Sequence, residues 1–179
     1  MSDPDSSLVA ACLAGNSGAF ERLIEKYQGP VFALALRITG SRDDAMDVAQ
    51  STFVKAYEGL RGFDPRYRFF SWLYRIGVNE ALNLLQRRPR TEVLLVDPVD
   101  PADGPAGAAV RSEIRGQVHG ALRELTSEHR VAIVLRHFQG LSYQEMSQVL
   151  GLPVKTVKSR LFEARRRLRV LLAGRGYGR

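Results

Sequence analysis

Residues 141–172, LSYQEMSQVLGLPVKTVKSRLFEARRRLRVLL, decide the fold. Ser142 followed by Glu145 is a capping box, and Leu141 is placed to staple onto Met146, so a short helix is predicted from Tyr143. Tyr143, Met146, Val149 and Leu150 give it one apolar stripe. Gly151 supplies the left-handed residue that ends this helix, and Pro153 suits the first position of a second. Two helices joined by so short a turn make a helix-turn-helix.

In the second helix Val157, Leu161, Ala164, Leu168 and Leu171 recur at spacings of four and three and predict the buried side. Lys155, Lys158, Ser159, Phe162, Arg165, Arg166 and Arg169 fall opposite. From Pro153 to Arg179 there are nine cations and one anion, Glu163. A solvated amphipathic helix would account for a basic face alone. Capping box, glycine turn and basic helix in this order are what a groove-reading motif requires, and they favour DNA. Phosphates attract arginines regardless of sequence, whereas side chains near the helix start must reach base edges. Lys155, Lys158, Ser159 and Phe162 are the candidates for base reading, with Thr156, Arg160, Arg165 and Arg166 completing the interface.

The 179 residues carry a net charge of +7 with 45% apolar content, enough for one moderate core or two small ones. A pI near 10.0 suits a polyanionic partner. A single cysteine, Cys12, rules out an internal disulfide and reads as a small apolar residue of the first helix. The N-terminus lacks a secretion signal and no long apolar run occurs, so a soluble cytoplasmic protein is expected. Charge also divides the chain: residues 1–90 carry 12 cations and 10 anions, 91–112 carry one and four, and 113–179 carry 13 and five.

Leu8, Cys12 and Leu13 open a first helix, and Asn16 or Ser17 caps the next. Its broad apolar face runs from Phe20 to Ile38 and ends at Gly40, with a kink or brief break expected at Gln28-Gly29-Pro30. Ser41 caps a third helix to about Leu60, with Asp43, Asp44 and Asp47 near its positive end. Ala45, Val48, Ala49, Thr52, Phe53 and Ala56 form its predicted buried stripe, leaving Asp44, Asp47, Gln50, Ser51, Lys55 and Glu58 outside. After the loop Gly62-Phe63-Asp64-Pro65, five aromatics alternate with Arg66, Arg68 and Arg75. Such interleaving is what stacking on unpaired bases requires. Phe63, Arg66, Tyr67, Arg68, Phe69, Phe70 and Trp72 are the candidates there, although Trp72, Leu73 and Ile76 also read as core. Asn79 and Asn83, four apart on one helical face, offer amide hydrogen bonds to the same strand.

Between residues 91 and 112, prolines, glycines and aspartates leave no apolar period, which reads as an acidic linker. Glu113 to Leu125 and then Ser127 to Phe138, capped by Thr126, supply the helices against which the helix-turn-helix packs. The reading is all-α: two small helical domains, 1–90 and 113–179, joined by a flexible linker. His119, His129 and His137 lack any metal-ligand spacing, and neither a phosphate loop nor a nucleophile elbow occurs. No catalytic residue, metal or cofactor is expected.

Taken together, DDAMDVAQSTFVKAY, FFSWLYRIGVNEALNLLQRR and the stretch from Ala121 to Leu172 resemble the second and fourth domains of an extracytoplasmic-function (ECF) sigma factor, a bacterial transcription initiation factor. The resemblance covers nearly all of residues 17–172 apart from the linker. It implies core RNA polymerase as partner, at the clamp helices of its largest subunit and at its flap. The clamp helices would be met by Asp44, Asp47, Gln50 and Phe53. It implies promoter DNA as the second partner. Phe63 through Asn79 would hold a flipped base of the −10 element, and Lys155, Lys158, Ser159, Phe162 and Arg165 would enter the −35 major groove. The linker would run through the polymerase cleft, and an anti-sigma factor would restrain the protein, in some cases at the membrane. Ser51 departs from the acidic residue members commonly carry after that glutamine. FDPRYRFFSW is more basic and aromatic than their usual loop. Glu163, where some members have a basic residue, would accept from a cytosine amino group or oppose Arg166 or Arg167. The alternatives are a stand-alone helix-turn-helix regulator and a single-stranded RNA-binding module or enzyme.

Overall fold

Hydrogen-bonding side chains cap three of the predicted helix starts, at Ser41, Thr126 and Ser142. The computed structural model describes residues 5–87 and 108–175, and within them finds eight α-helices and no strand. Helix α1 spans Ser6–Leu13, α2 Ser17–Thr39, α3 Arg42–Gly59, α4 Phe69–Arg87, α5 Ala108–Glu124, α6 Ser127–Ile133, α7 Tyr143–Leu150 and α8 Val154–Ala173. Ser41 Oγ accepts from the Asp44 N–H at 3.3 Å to start α3, and Thr126 Oγ1 accepts from the His129 N–H at 3.4 Å to start α6. Gly40, at φ 74°, closes α2 in the left-handed conformation.

Three expectations change. Helix α2 runs unbroken through Pro30, which lies on its exposed side, so the Lys26 carbonyl that loses an intrahelical partner faces solvent. Helix α5 begins at Ala108, five residues before Glu113, since Ala108 and Ala109 have the highest helix propensity. Residues 91–107 of the expected linker lie outside the described residues. The helix from Ser127 does not reach Phe138 as one α-helix. It passes at Val134 into a π-helical turn, Val134–Phe138, closed by the Gln139 N–H on the Val134 carbonyl at 3.0 Å.

Helices α2, α3 and α4 enclose the first part of the core around Leu23, Val31, Leu34, Ile38, Leu73 and Val78. Asp5, nearly fully buried, accepts from Tyr27 Oη and Lys26 Nζ and pins α1 to α2. Helices α5 to α8 enclose Leu122, Ile133, Leu135, Met146, Val157 and Leu161. The two parts share a boundary, and the buried apolar residues form one contiguous cluster from Val9 to Ala164. Helix α7 packs on α4, and the π-helical turn packs on α2.

Candidate nucleic-acid interface

Both halves of the capping box are formed at α7: Ser142 Oγ accepts from the Glu145 N–H at 3.2 Å, and Glu145 Oε2 accepts from the Ser142 N–H at 2.8 Å. Leu141 and Met146, the staple pair, are both buried. Gly151, at φ 64°, ends α7 and turns the chain into α8. Pro153 sits at the cap of α8, one position earlier than expected, with φ −57° and ψ 144°. Its extended ψ keeps it outside the helix, so Val154 is the first helical residue.

Helix α8 buries Val157, Leu161 and Ala164. Lys155, Thr156, Lys158, Ser159, Phe162, Arg165 and Arg166 are all exposed, Phe162 by 71%. Arg160 is half-buried; its charge helps to hold the Glu128 carboxyl below its usual range, after hydrogen bonding from the Glu128 backbone. The exposed cations are positioned. Lys158 Nζ stands 5.5 Å from the Tyr143 ring centroid, and Arg136 stands 5.1 Å from it. Arg165 Nε donates to His137 Nε2 at 3.1 Å. Glu163 accepts from Arg166 at 2.9 and 3.0 Å and from Arg167 at 3.0 Å. These bonds hold its carboxyl at about 2, so it is ionised and, in this structure, opposes Arg166 and Arg167, one of its two expected roles.

The aromatic stretch divides where α4 begins. Phe69 is only 1% exposed, with its ring centroid 5.9 Å from that of Phe63, 5.7 Å from that of Trp72 and 5.8 Å from that of Tyr27. It is therefore a core residue in this structure and not a base-stacking surface. A helix starting at Phe69 carries that residue and Leu73 inward on one face. Phe63, Phe70 and Trp72 are half-buried, and Tyr67 is 46% exposed. Asp64 accepts from Arg66 Nε and Nη2 and from its backbone N–H at 2.6–3.0 Å, which fixes the loop and lowers the Asp64 pKa. Arg68 stands 5.5 Å from the Phe70 ring centroid and donates to Glu145 Oε1 at 3.0 Å. Asn79 and Asn83 are exposed. A cleft of about 700 Å³ is lined by Tyr67, Ser71, Trp72 and Arg75 on one side and by Gln148, Gly151 and Pro153 on the other.

On α3, Asp47 and Gln50 are exposed and Phe53 is half-buried. Asp44 is corrected: at 3% exposure it faces inward with Ala45 and Val48 and cannot offer a docking surface. Sequence reasoning missed that Met46, Val54 and Tyr57 stand exposed beside Gln50 on that helix. Their spacings of eight and three were the available signal. It also missed His137 and Arg130. The Arg130 guanidinium, pushed down to about 10 by burial and then by the charge of Arg123, donates to the carbonyls of Leu122, Arg123, Leu125 and Ile38. No spacing reveals such a contact, although a lone arginine before the apolar run Val131–Leu135 is unusual.

Residues 23–91 match the family model for sigma-70 region 2, and residues 115–168 match that for sigma-70 region 4. An all-helical chain bearing both, in that order and with a basic helix-turn-helix in the second, is a transcription initiation factor of the sigma-70 class. The chain is 37% identical over 175 residues to the RNA polymerase sigma-H factor of Pseudomonas aeruginosa, covering 91% of each. It is 36% identical over 173 residues to the ECF RNA polymerase sigma-E factor of Haemophilus influenzae, covering 90% of this chain and 91% of that one. Among solved structures, CnrH in complex with the cytosolic domain of CnrY matches with a TM-score of 0.73 at 34% identity, covering 96% of this chain and 99% of that one. RpoE in complex with the anti-sigma factor NepR, from Bartonella quintana, shares the fold, with a TM-score of 0.70 at 24% identity over 86% of this chain and 96% of that one. The chain belongs to the extracytoplasmic-function sigma factors of RNA polymerase, and a stand-alone helix-turn-helix regulator is not favoured.

Proposed function

We propose that the chain reads a promoter with two separate surfaces while riding on core RNA polymerase. Helix α8 enters the major groove of the −35 element, with Lys155, Thr156, Lys158, Ser159 and Phe162 toward base edges and Arg160, Arg165 and Arg166 toward phosphates. The loop from Phe63 and the start of α4 take the opened −10 strand. Phe63, Tyr67, Phe70 and Trp72 offer stacking surfaces, Arg66 and Arg68 offer charge, and Asn79 and Asn83 offer amides. Capturing an unpaired base there offsets an unstacking cost of a few kcal/mol. Core polymerase is met by Asp47, Gln50 and Phe53 together with the exposed Met46, Val54 and Tyr57 of α3. Residues 1–90 and 113–179 act as the two reading units, and the acidic 91–112 segment joins them.

The single observation that carries this reading is the α8 face, where seven of the eight expected DNA-contacting side chains are exposed in front of a buried Val157, Leu161 and Ala164. The protein supplies binding and positioning, and the polymerase supplies the chemistry. CnrH and RpoE were each solved with a protein partner. An anti-sigma factor is accordingly expected for this chain too. Among the described residues no helix is long and apolar enough to cross a membrane. Work on DNA places the chain in the cytoplasm, with an anti-sigma factor able to hold it at the inner membrane face.

Run-off transcription with core polymerase on a promoter library tests the proposal. Promoter-dependent transcripts are expected, with Lys158→Ala and Phe162→Ala reducing them on promoters that retain a −35 element. Tight sequence-specific duplex binding by the chain alone, with no effect of adding polymerase, would overturn it.

A further inference from the structure

Two exposed cations of α8 are held by side chains that lie outside that helix. The holding groups come from the π-helical turn and from the first residue of α7. A π-helical turn carries an extra residue per turn, so consecutive side chains diverge by less than the about 100° of an α-helix, and such turns recur at functional sites. Here the consecutive pair is Arg136 and His137, and both reach the helix-turn-helix. Arg136 Nη1 donates to the Leu141 carbonyl at 2.7 Å, and its guanidinium stands 5.1 Å from the Tyr143 ring centroid. Lys158 Nζ comes to the same ring at 5.5 Å. His137 Nε2 accepts from Arg165 Nε at 3.1 Å.

Lys158 and Arg165 are seven residues apart, so they share one face of α8 about 10.5 Å apart along its axis. Holding is not general on this helix: among the described residues the Lys155 ammonium has neither a ring nor a carboxylate partner. A lysine is a compact charge on a flexible four-carbon stem and can reach several base-edge acceptors. A fixed ring behind it narrows that choice. With Nε of Arg165 taken by His137, its two terminal nitrogens are left for a phosphate, whose oxygens a guanidinium fork matches. We propose that Tyr143 and His137 are positioning residues for promoter recognition. The Tyr143 ring, braced by Arg136, sets which base edge Lys158 reads, and His137 sets the orientation of Arg165 on the backbone. This rests on the −35 reading proposed for α8 and adds to it residues outside that helix.

Run-off transcription with core polymerase tests the first role, on a promoter the wild-type chain uses and on variants with each −35 base pair changed singly. Lys158→Ala should flatten discrimination at one base pair. Tyr143→Leu keeps an apolar side chain but removes the ring face, and should cut discrimination at that same pair about two- to fivefold. Tyr143→Phe should keep it. Added to Lys158→Ala, Tyr143→Leu should cost no further discrimination, because the side chain it acts through is gone. Tyr143→Met repeats the test should the leucine variant fold poorly. For the second role, anisotropy of a fluorescein-labelled, mixed-sequence duplex is measured with the full chain at low salt. His137→Ala should weaken binding and lower the slope of log K against log salt by up to about 0.9, and His137→Gln should restore both. A loss from Tyr143→Leu that is spread evenly over all base pairs, adds to that of Lys158→Ala or is shared by Tyr143→Phe overturns the role of the ring. His137→Gln binding like His137→Ala overturns that of His137. A wild-type chain indifferent to every −35 change strikes the proposed function itself, whereas a discriminating wild type with an unaltered Tyr143→Leu variant strikes the positioning role alone.

Discussion

His137 and Arg165 are joined by a hydrogen bond of 3.1 Å in which the guanidinium Nε donates to the imidazole Nε2, so the exposed cation of α8 is held only while that nitrogen is unprotonated. Burial lowers the His137 pKa from its ordinary 6.5, and the charges of Arg165 and Arg136 lower it further. The unfolded chain therefore takes up the proton first as pH falls. Native stability from this group is complete above the ordinary value, declines as pH drops below it, and levels off beneath the folded value. Thermal melts from pH 8 to 5 should show this decline, and His137→Gln, which keeps an acceptor without the titration, should flatten it. An unchanged profile in the variant would remove His137 from the account.

Glu163 pairs with Arg166 and Arg167, which remain exposed to solvent. At about 2 its carboxyl is ionised throughout the working range. Glu163→Gln frees both guanidiniums and removes a negative charge from the DNA-facing helix. Duplex affinity at low salt should rise, and the slope of log K against log salt should steepen by about 0.9 for each phosphate newly contacted. Were Glu163 instead a base reader, the variant would lose discrimination between promoters with no change in that slope.

The capping box serves both the fold of α7 and the boundary with Arg68. Burial pulls the Glu145 carboxyl up, but bonds from Ser142 and Arg68 outweigh it and leave it below its usual range. Ser142→Ala should cost about 1 kcal/mol, lowering the melting temperature by about 2–4 °C in a chain of this size. Glu145→Gln retains an acceptor for the Ser142 N–H but weakens the exposed pair with Arg68, which is worth at most about 1 kcal/mol. A Ser142→Ala variant melting with the wild type would show that the cap contributes nothing.

Local chemistry made the helix-turn-helix legible, because cap, staple, glycine and apolar stripe all lie within 32 consecutive residues and agree with one another. Where assignments failed, a tertiary neighbour decided the outcome. Asp44 reads as a first-turn carboxylate by its distance from Ser41, yet it shares the inward stripe of Val48 and Thr52, and burial follows the stripe. Phe69 could be separated from Tyr67 and Phe70 only by knowing that α4 starts there. Arg130 and His137 act on backbone or side chains distant in the chain, through contacts that no periodicity encodes. The exposed Met46, Val54 and Tyr57 were legible in principle, since a second apolar arc on α3 is more than one core needs.

Close approach of α3 and α4 brings the proposed polymerase-docking helix and the proposed −10 helix together, and Gly77 lies at that contact, where a small residue is needed. A Cβ there would lie 3.4 Å from Thr52 Oγ1, 3.7 Å from Thr52 Cγ2 and 3.8 Å from Leu34 Cδ2. Thr52 is fully buried and cannot swing aside without breaking its hydroxyl bond to the Val48 carbonyl at 2.6 Å. A single methyl group fits with slight adjustment, and the helix gains up to about 1 kcal/mol from replacing glycine, so Gly77→Ala should change stability by less than that in either direction. Gly77→Leu adds three further carbons where no space exists and should destabilise by about 1–3 kcal/mol, by forcing the helices apart. Urea denaturation distinguishes the two: the leucine variant should unfold at a lower midpoint with an unchanged slope. Equal midpoints for leucine and alanine would mean that the α3–α4 spacing is set elsewhere.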